Sequence, residues 1–205
     1  MWRTKHVINQ PIPTMLQLKF RKQAALAAML FVVNELSRRS IRADFIKVFK
    51  ILYFADQAHL VKYGRSITGD TYVAMDFGPV PSQLYDMIKA VRGDSFFHEE
   101  GSKYKEMFTV ENRYEIKPQA VPNMDNLSAT DLRELDASLN SYAPIDSIIL
   151  SQQSHGPAWC QADKDCYMDA ANIMREAGAN EDMINHVSEM ISLEKALNDG
   201  VPASC

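Results

Sequence analysis

Ten consecutive apolar residues, Ala24 to Val33, constrain this chain more than any other feature. Read as a helix, AALAAMLFVV has no polar side, so other elements must cover it all round. A bilayer could also cover it, but a membrane-spanning helix needs about 20 such residues, and no longer apolar run exists here. The run therefore marks the centre of a globular core. At 205 residues the chain can bury well over half its unfolded surface, so it needs neither disulfide nor metal to hold that core. A hydrophobic share of 46% and a charged share of 23% exclude disordered and collagen-like classes. The 8 glycines and 9 prolines are too few for a turn-rich β-sandwich, and the 11 methionines suit an irregular helical core.

Around the central helix, expected over 19–38, periodicity predicts a second helix over 43–63, favoured at its start by Asp44 and stopped at Gly64. Thr71 to Phe77 alternates as one short strand, with Gly78 and Pro79 as punctuation. Pro81 suits a helix start, and 82–91 has the helical period. Residues 93–105 read as a polar loop. Strands over 107–110 and 113–117 make a hairpin joined at Glu111-Asn112. After a proline-containing linker over 118–127, Ser128 with Asp131 gives a capping-box-like helix start. Helices are further expected from Pro144 to Gln153, over 167–175, and over 180–198. The last has Asn180 as its cap, Gly200 as its end, and Met183, Val187, Met190, Ile191 and Leu197 as its buried face. The fold class is thus mainly α, a compact helical domain with a small central β-hairpin or short antiparallel sheet. Residues 1–18 are expected to form an extended or loosely packed arm, and 19–205 a single domain.

Three cysteines, Cys160, Cys166 and Cys205, form no repeated CxxC spacing. They point to a reducing cytoplasm rather than a disulfide framework. MWRTKHVINQPIP lacks the apolar core of a signal peptide. Charge is unevenly spread. Residues 1–65 hold 12 Lys/Arg against 3 Asp/Glu, and 66–205 hold 10 against 23. That fits a nucleic-acid face, an acidic partner, or two halves docked on each other, the last being the simplest.

Several side chains invite a chemical reading. Leu52, Asp56, His59 and Tyr63 share one helix face, so Asp56 and His59 fit either an acid–base pair or a buried pair fixing the helix to the loop after it. The buried pair is the commoner outcome. Arg65 and Asp70 flank a tight loop and can pair with each other or cap backbone groups. Gly78 and Pro79 shape a corner and are too poor in glycine to cradle phosphate. His155, Cys160 and Cys166 match no common zinc spacing, and Cys160 with His155 lacks an orienting third group. Trp159 reads as an anchor in a core or interface. Arg38, Arg39, Arg42, Lys47 and Lys50 surround a helix–turn–helix-like join, as in a winged-helix DNA reader. A pI of about 5.7 and a second helix poor in base-reading residues argue against it.

The segment from Lys50 to Tyr85 resembles the Panacea domain of SocA-like antitoxins and phage-associated GepA-like proteins. Lys50, Leu52, Tyr53, Phe54, Ala55 and Asp56 carry the resemblance first. Gly64, Arg65, Gly69, Asp70 and Tyr72 follow, and then Gly78, Pro79 and Val80 with Leu84 and Tyr85. Ser154, His155 and Trp159 resemble a second signature of the family, so the likeness spans roughly 24–160. It implies an antitoxin that binds a cognate protein toxin directly, with delivery of the toxin to a protease known in the SocA-like branch. It carries over no catalytic residue, and the sequence itself points to no metal, cofactor or membrane span. A DNA-binding regulator and a hydrolase-type enzyme stand as the alternatives. Charge matching to a basic toxin suggests the acidic stretch from Asp94 to Glu115. There Phe96, Phe97 and Tyr104 are candidate anchors beside Glu99 and Glu100, with local burial of these aromatics the competing reading.

Overall fold

The apolar run becomes the middle of α1 (Lys22–Arg38) in the computed structural model, which describes residues 15–94 and 98–199. Nine of its ten residues are buried and Phe31 is half-buried, so the helix is enclosed as its composition demands. α2 (Phe45–Tyr63) lies against it. Asp44 caps α2 by accepting from the Lys47 amide at 3.0 Å, and Gly64 closes it with φ of 71°. Phe45 and Phe49 meet Tyr85 with ring centroids 6.4 and 5.9 Å away.

Two residues of turn separate β1 (Tyr72–Met75) from β2 (Gly78–Pro81), which pair antiparallel with Met75 opposite Gly78 and Tyr72 opposite Pro81. The expected single strand is therefore a hairpin, and Gly78 and Pro79 belong to its second strand. Prolines are tolerated there because a two-stranded sheet has edges that need no amide donor. The other edge, along β1, is closed by a loop. Ala74 donates to the Cys166 carbonyl at 3.0 Å, and Met168 donates to Tyr72 at 2.8 Å.

α3 (Ser82–Arg92) follows, and then α4 (His98–Lys105), where a polar loop was expected. Sequence periodicity misses α4 because, among its described side-chain positions, only Gly101 and Tyr104 are buried. A Cβ on Gly101 would stand 2.4 Å from the Ala90 carbonyl, so α4 rests on α3 at backbone distance. β3 (Phe108–Glu111) and β4 (Glu115–Pro118) form the second hairpin, with Glu111 opposite Glu115. α5 (Ala129–Tyr142) opens with the capping box of Ser128 and Asp131 and packs on α2, where Ser138 Oγ donates to the Ile51 carbonyl at 2.7 Å.

The remaining helices are α6 (Ser147–Gln153), α7 (Pro157–Cys160), α8 (Ala170–Glu176) and α9 (Glu181–Asp199). α6 starts later than Pro144 because Asp146 caps it, accepting from the Ile148 amide at 2.9 Å. Tyr167 belongs to a bridge with Val73 rather than to α8. On α9, Val187 is buried and Met183 and Ile191 half-buried as expected, together with Ile184. Met190 and Leu197 are 48% and 72% exposed instead, because nothing among the described residues packs over them. Gly200 and residues 1–14 lie outside the described residues. Residues 15–21 are pinned: Leu16 accepts from the Ala170 amide at 3.2 Å, and the Arg21 amide donates to Thr68 at 2.8 Å.

The basic first third and acidic remainder dock on each other. Lys62 meets Glu134 at 2.7 Å, Arg65 meets Asp131 at 2.9 Å, and Arg42 meets Glu115 at 3.4 Å. The packing also buries two of the five basic residues that suggested a DNA-reading surface. Lys47 and Lys50 are 6% and 1% exposed, and Arg38 pairs with Glu35 at 2.6 Å.

Candidate functional site

The motif residues converge beneath the loop that joins α2 to β1. Asp56, 3% exposed, points from α2 into that loop. Its Oδ1 accepts from the amides of Ile67 and Thr68 at 2.8 and 3.0 Å and from Ser66 Oγ at 3.2 Å. Its Oδ2 accepts from Tyr72 OH at 2.8 Å and from Thr68 Oγ1. Burial raises its pKa above the usual carboxylate range, and the donors of Thr68, Tyr72 and Ile67 hold back part of the rise.

Asp70 serves the next element. The N-cap of α3 is Pro81, whose side chain caps nothing. Asp70 supplies the missing acceptors: Oδ1 takes the Gln83 amide and Oδ2 the Leu84 amide, both at 3.0 Å. Burial pushes its pKa up to about 6. Arg65 and Asp70, read as a candidate pair, therefore act apart. Arg65 donates to Ser128 Oγ at 3.0 Å and pairs with Asp131.

Asp56 and His59 share a helix face but not a hydrogen bond. His59 Nδ1 donates to the Arg65 carbonyl at 2.8 Å, while Nε2 stands 3.0 Å from Thr130 Oγ1 and 3.1 Å from Asp131 Oδ1. Both His59 Nε2 and Arg65 Nη1 approach Asp131 Oδ1 off the axis of a hydrogen bond, and Arg65 forms an ion pair with it. Burial opposes the charge of Asp131, yet His59, Arg65 and Ser128 outweigh it and hold the carboxyl well below its usual range. His59 thus fastens α2 to its own C-terminal loop and to the start of α5.

The second signature meets the first at Gly78. Lys50 is 1% exposed, and its Nζ donates to the Pro79 carbonyl at 2.7 Å. No carboxylate pairs with it among the described residues. A Cβ on Gly78 would fall 2.2 Å from Ser154 Oγ and 3.2 Å from Lys50 Nζ. Next to Ser154, His155 stacks on Trp159 with centroids 4.0 Å apart, and Trp159 Nε1 donates to the Met75 carbonyl at 3.1 Å. Tyr53 OH reaches Glu176 at 3.3 Å, and Glu176 also accepts from the Ala158 amide at 2.7 Å. Glu176, Ser66 and Thr68 escaped the sequence reading. Ser66 and Thr68 were legible as hydroxyl turns, since Ser66 Oγ accepts from the Gly69 amide at 2.7 Å and Thr68 Oγ1 from that of Asp70 at 3.0 Å. Val80 sits in β2 and packs into the main core. The carbonyl of Lys19 passes so close to Gly69 that a Cβ there would stand 1.9 Å from it.

Lys50 carries a testable pH signature. Burial lowers its pKa from 10.5 to about 7. Between those values the unfolded chain holds a proton that the folded chain does not, so stability contributed by this group rises with pH. The cost of burying the charge is fully present below about pH 7 and relieved as pH approaches 10.5. Lys50→Met should abolish this slope. From pH 7 to 9.5 the wild type should gain roughly 3 kcal/mol relative to the variant. Denaturant midpoints at the two pH values measure it, and parallel stability curves would contradict the assignment. Other titrations are common to both proteins and cancel.

Of the candidate partner residues, Tyr104 is 5% exposed and packed in the main core, so it follows the local-burial reading. Phe96 and Phe97 lie outside the described residues, and of Glu99 and Glu100 only the helical backbone is described. Among the described residues no group of three or more His, Cys, Asp or Glu is arranged to hold a metal ion, and no helix is long and apolar enough to cross a membrane.

A family model described as antitoxin SocA-like, Panacea domain, matches residues 48–160, more than half of the chain. Its limits enclose α2 from Val48 through α7, and with them every motif residue named above. No curated protein and no solved structure matched the chain.

Proposed function

The chain belongs to the SocA-like antitoxin family that carries the Panacea domain, and from that premise we propose that it neutralises a cognate protein toxin by direct stoichiometric binding. One observation supports a binding role over turnover. Lys50, Asp56, Asp70 and Tyr72, the polar motif residues most able to do chemistry, are each no more than 3% exposed and spend their polar atoms inside the fold. Groups so placed specify a scaffold. A substrate would have to dismantle α2, the 64–72 loop and β2 to reach them. Presenting the bound toxin to a protease is a further step that the same complex would permit.

Co-expression with each flanking reading frame tests the proposal. The expected result is one frame that arrests growth alone, is tolerated with this protein, and co-purifies with it at equimolar ratio. Growth rescue should fail once this protein falls below the toxin in amount. Rescue at a small fraction of the toxin's level would indicate turnover instead, by an enzyme or by repeated delivery to a protease. A toxin that persists only when a protease is deleted would support delivery.

A further inference from the structure

Between residues 18–21, the end of α2 with its loop, and α9 lies a groove of about 780 Å³. Its lining includes Lys19, Arg21, Lys62, Arg65 and His186, and among the described residues no Asp or Glu. That is a positive depression on a chain of net charge −4. Lys62 and Arg65 already hold Glu134 and Asp131. Lys19, Arg21 and His186 hold no carboxylate among the described residues. The floor and far wall are apolar: Tyr63, Met183, Met190 and Ile191 line it. The apolar surface continues beyond the groove along α9, where Met190, Leu193 and Leu197 are 48%, 59% and 72% exposed. At 1.5 Å per residue this stripe runs for about 10 Å. Exposed apolar stripes of this kind mark partner sites.

We propose that this groove and the adjoining face of α9 bind an acidic, apolar-anchored segment of the toxin. This rests on the antitoxin reading and locates its interface. Charge complementarity sets the sign of the occupant, and the length of the apolar stripe calls for a chain segment rather than a compact small molecule. This chain's own first residues are a poor occupant, since Arg3 and Lys5 share the sign of the groove. Two walls, residues 18–21 and α9, lie outside the family match at 48–160, whereas Gly64, Arg65 and Gly69 lie within it. The groove thus joins residues inside the family match to residues outside it.

The test uses the full chain and the flanking-gene product that co-purifies with it. Met190→Asp with Leu193→Asp changes exposed side chains and should keep the wild-type melting temperature. It should weaken toxin binding at least about 30-fold. Lys19→Glu and, separately, His186→Glu should slow association several-fold and flatten its salt dependence. Ile148→Asp with Ile149→Asp, exposed on α6, should leave affinity within about threefold of wild type. Wild-type affinity in all the groove variants would overturn the proposal while leaving the antitoxin reading intact. So would a loss caused only by Phe96→Ala with Phe97→Ala. Wild-type protein that dimerises alone, and loses the dimer in Met190→Asp with Leu193→Asp, would assign the groove to a second copy and overturn it as well. Failure of wild type to bind any flanking product would sink both readings together.

Discussion

Asp56→Ala should leave little folded protein at ordinary growth temperature. The carboxylate is the common acceptor for Ser66, Thr68, Tyr72 and the amides of Ile67 and Thr68. All four residues it serves are buried, so no water is at hand to replace it. Each buried donor left unmade costs about 1–3 kcal/mol, and several are orphaned at once. The expected loss is more than about 4 kcal/mol, against a total stability of about 5–15 kcal/mol for a typical domain. Asp56→Asn should be far milder, roughly 1–2 kcal/mol. Its carbonyl can still take the backbone amides, and the hydroxyls of Thr68 and Tyr72 can turn to accept from its NH₂. A neutral side chain also escapes the desolvation that opposes the carboxylate. Denaturant midpoints and toxin neutralisation, measured together, decide the matter. The Asn variant should neutralise toxin wherever it is folded. A variant with the parent's midpoint and no neutralisation would give Asp56 a direct chemical role.

How far these roles could be read beforehand depends on where their partners sit. α1 was legible because a helix apolar on every side has one environment open to it. The start of α5 was legible because the Ser128–Asp131 box is local in sequence. Asp131 also receives Arg65 and His59, and that role was not legible, because the partners come from another element. Asp56 and His59 were correctly placed on one face, yet a face does not say which neighbour each will meet. β2 was hidden because Gly-Pro in sequence looks like an interruption, although at a sheet edge it is compatible with a strand. On α9, Val187 and Leu197 follow the same helical period, and only the tertiary arrangement buries one and exposes the other.

Gly78→Val should be the second severe substitution, and its cost separates into two sources. The backbone at Gly78 has φ of +88°, a region that strains a residue with a Cβ by about 1–3 kcal/mol. The added atom would also meet Ser154 Oγ at 2.2 Å and Lys50 Cε at 3.0 Å. Neither neighbour can retreat easily. Ser154 is buried and donates to the Ser151 carbonyl at 2.6 Å, and Lys50 is tied to the Pro79 carbonyl. Overpacking of this kind adds about 1–3 kcal/mol, so the structure raises the expected loss above the backbone term alone, to more than about 3 kcal/mol. Gly93 supplies the control. Its φ is +82°, but a Cβ there meets nothing within 4 Å. Gly93→Ala should therefore show the backbone cost alone, about 1 kcal/mol. Gly78→Ala should exceed it by at least about 1 kcal/mol. Equal losses in the two alanine variants, by denaturant midpoint, would mean that the junction of the two motif blocks yields to an added methyl group. Lys50 and Ser154 would then not be fixed in the way that a rigid scaffold for toxin binding requires.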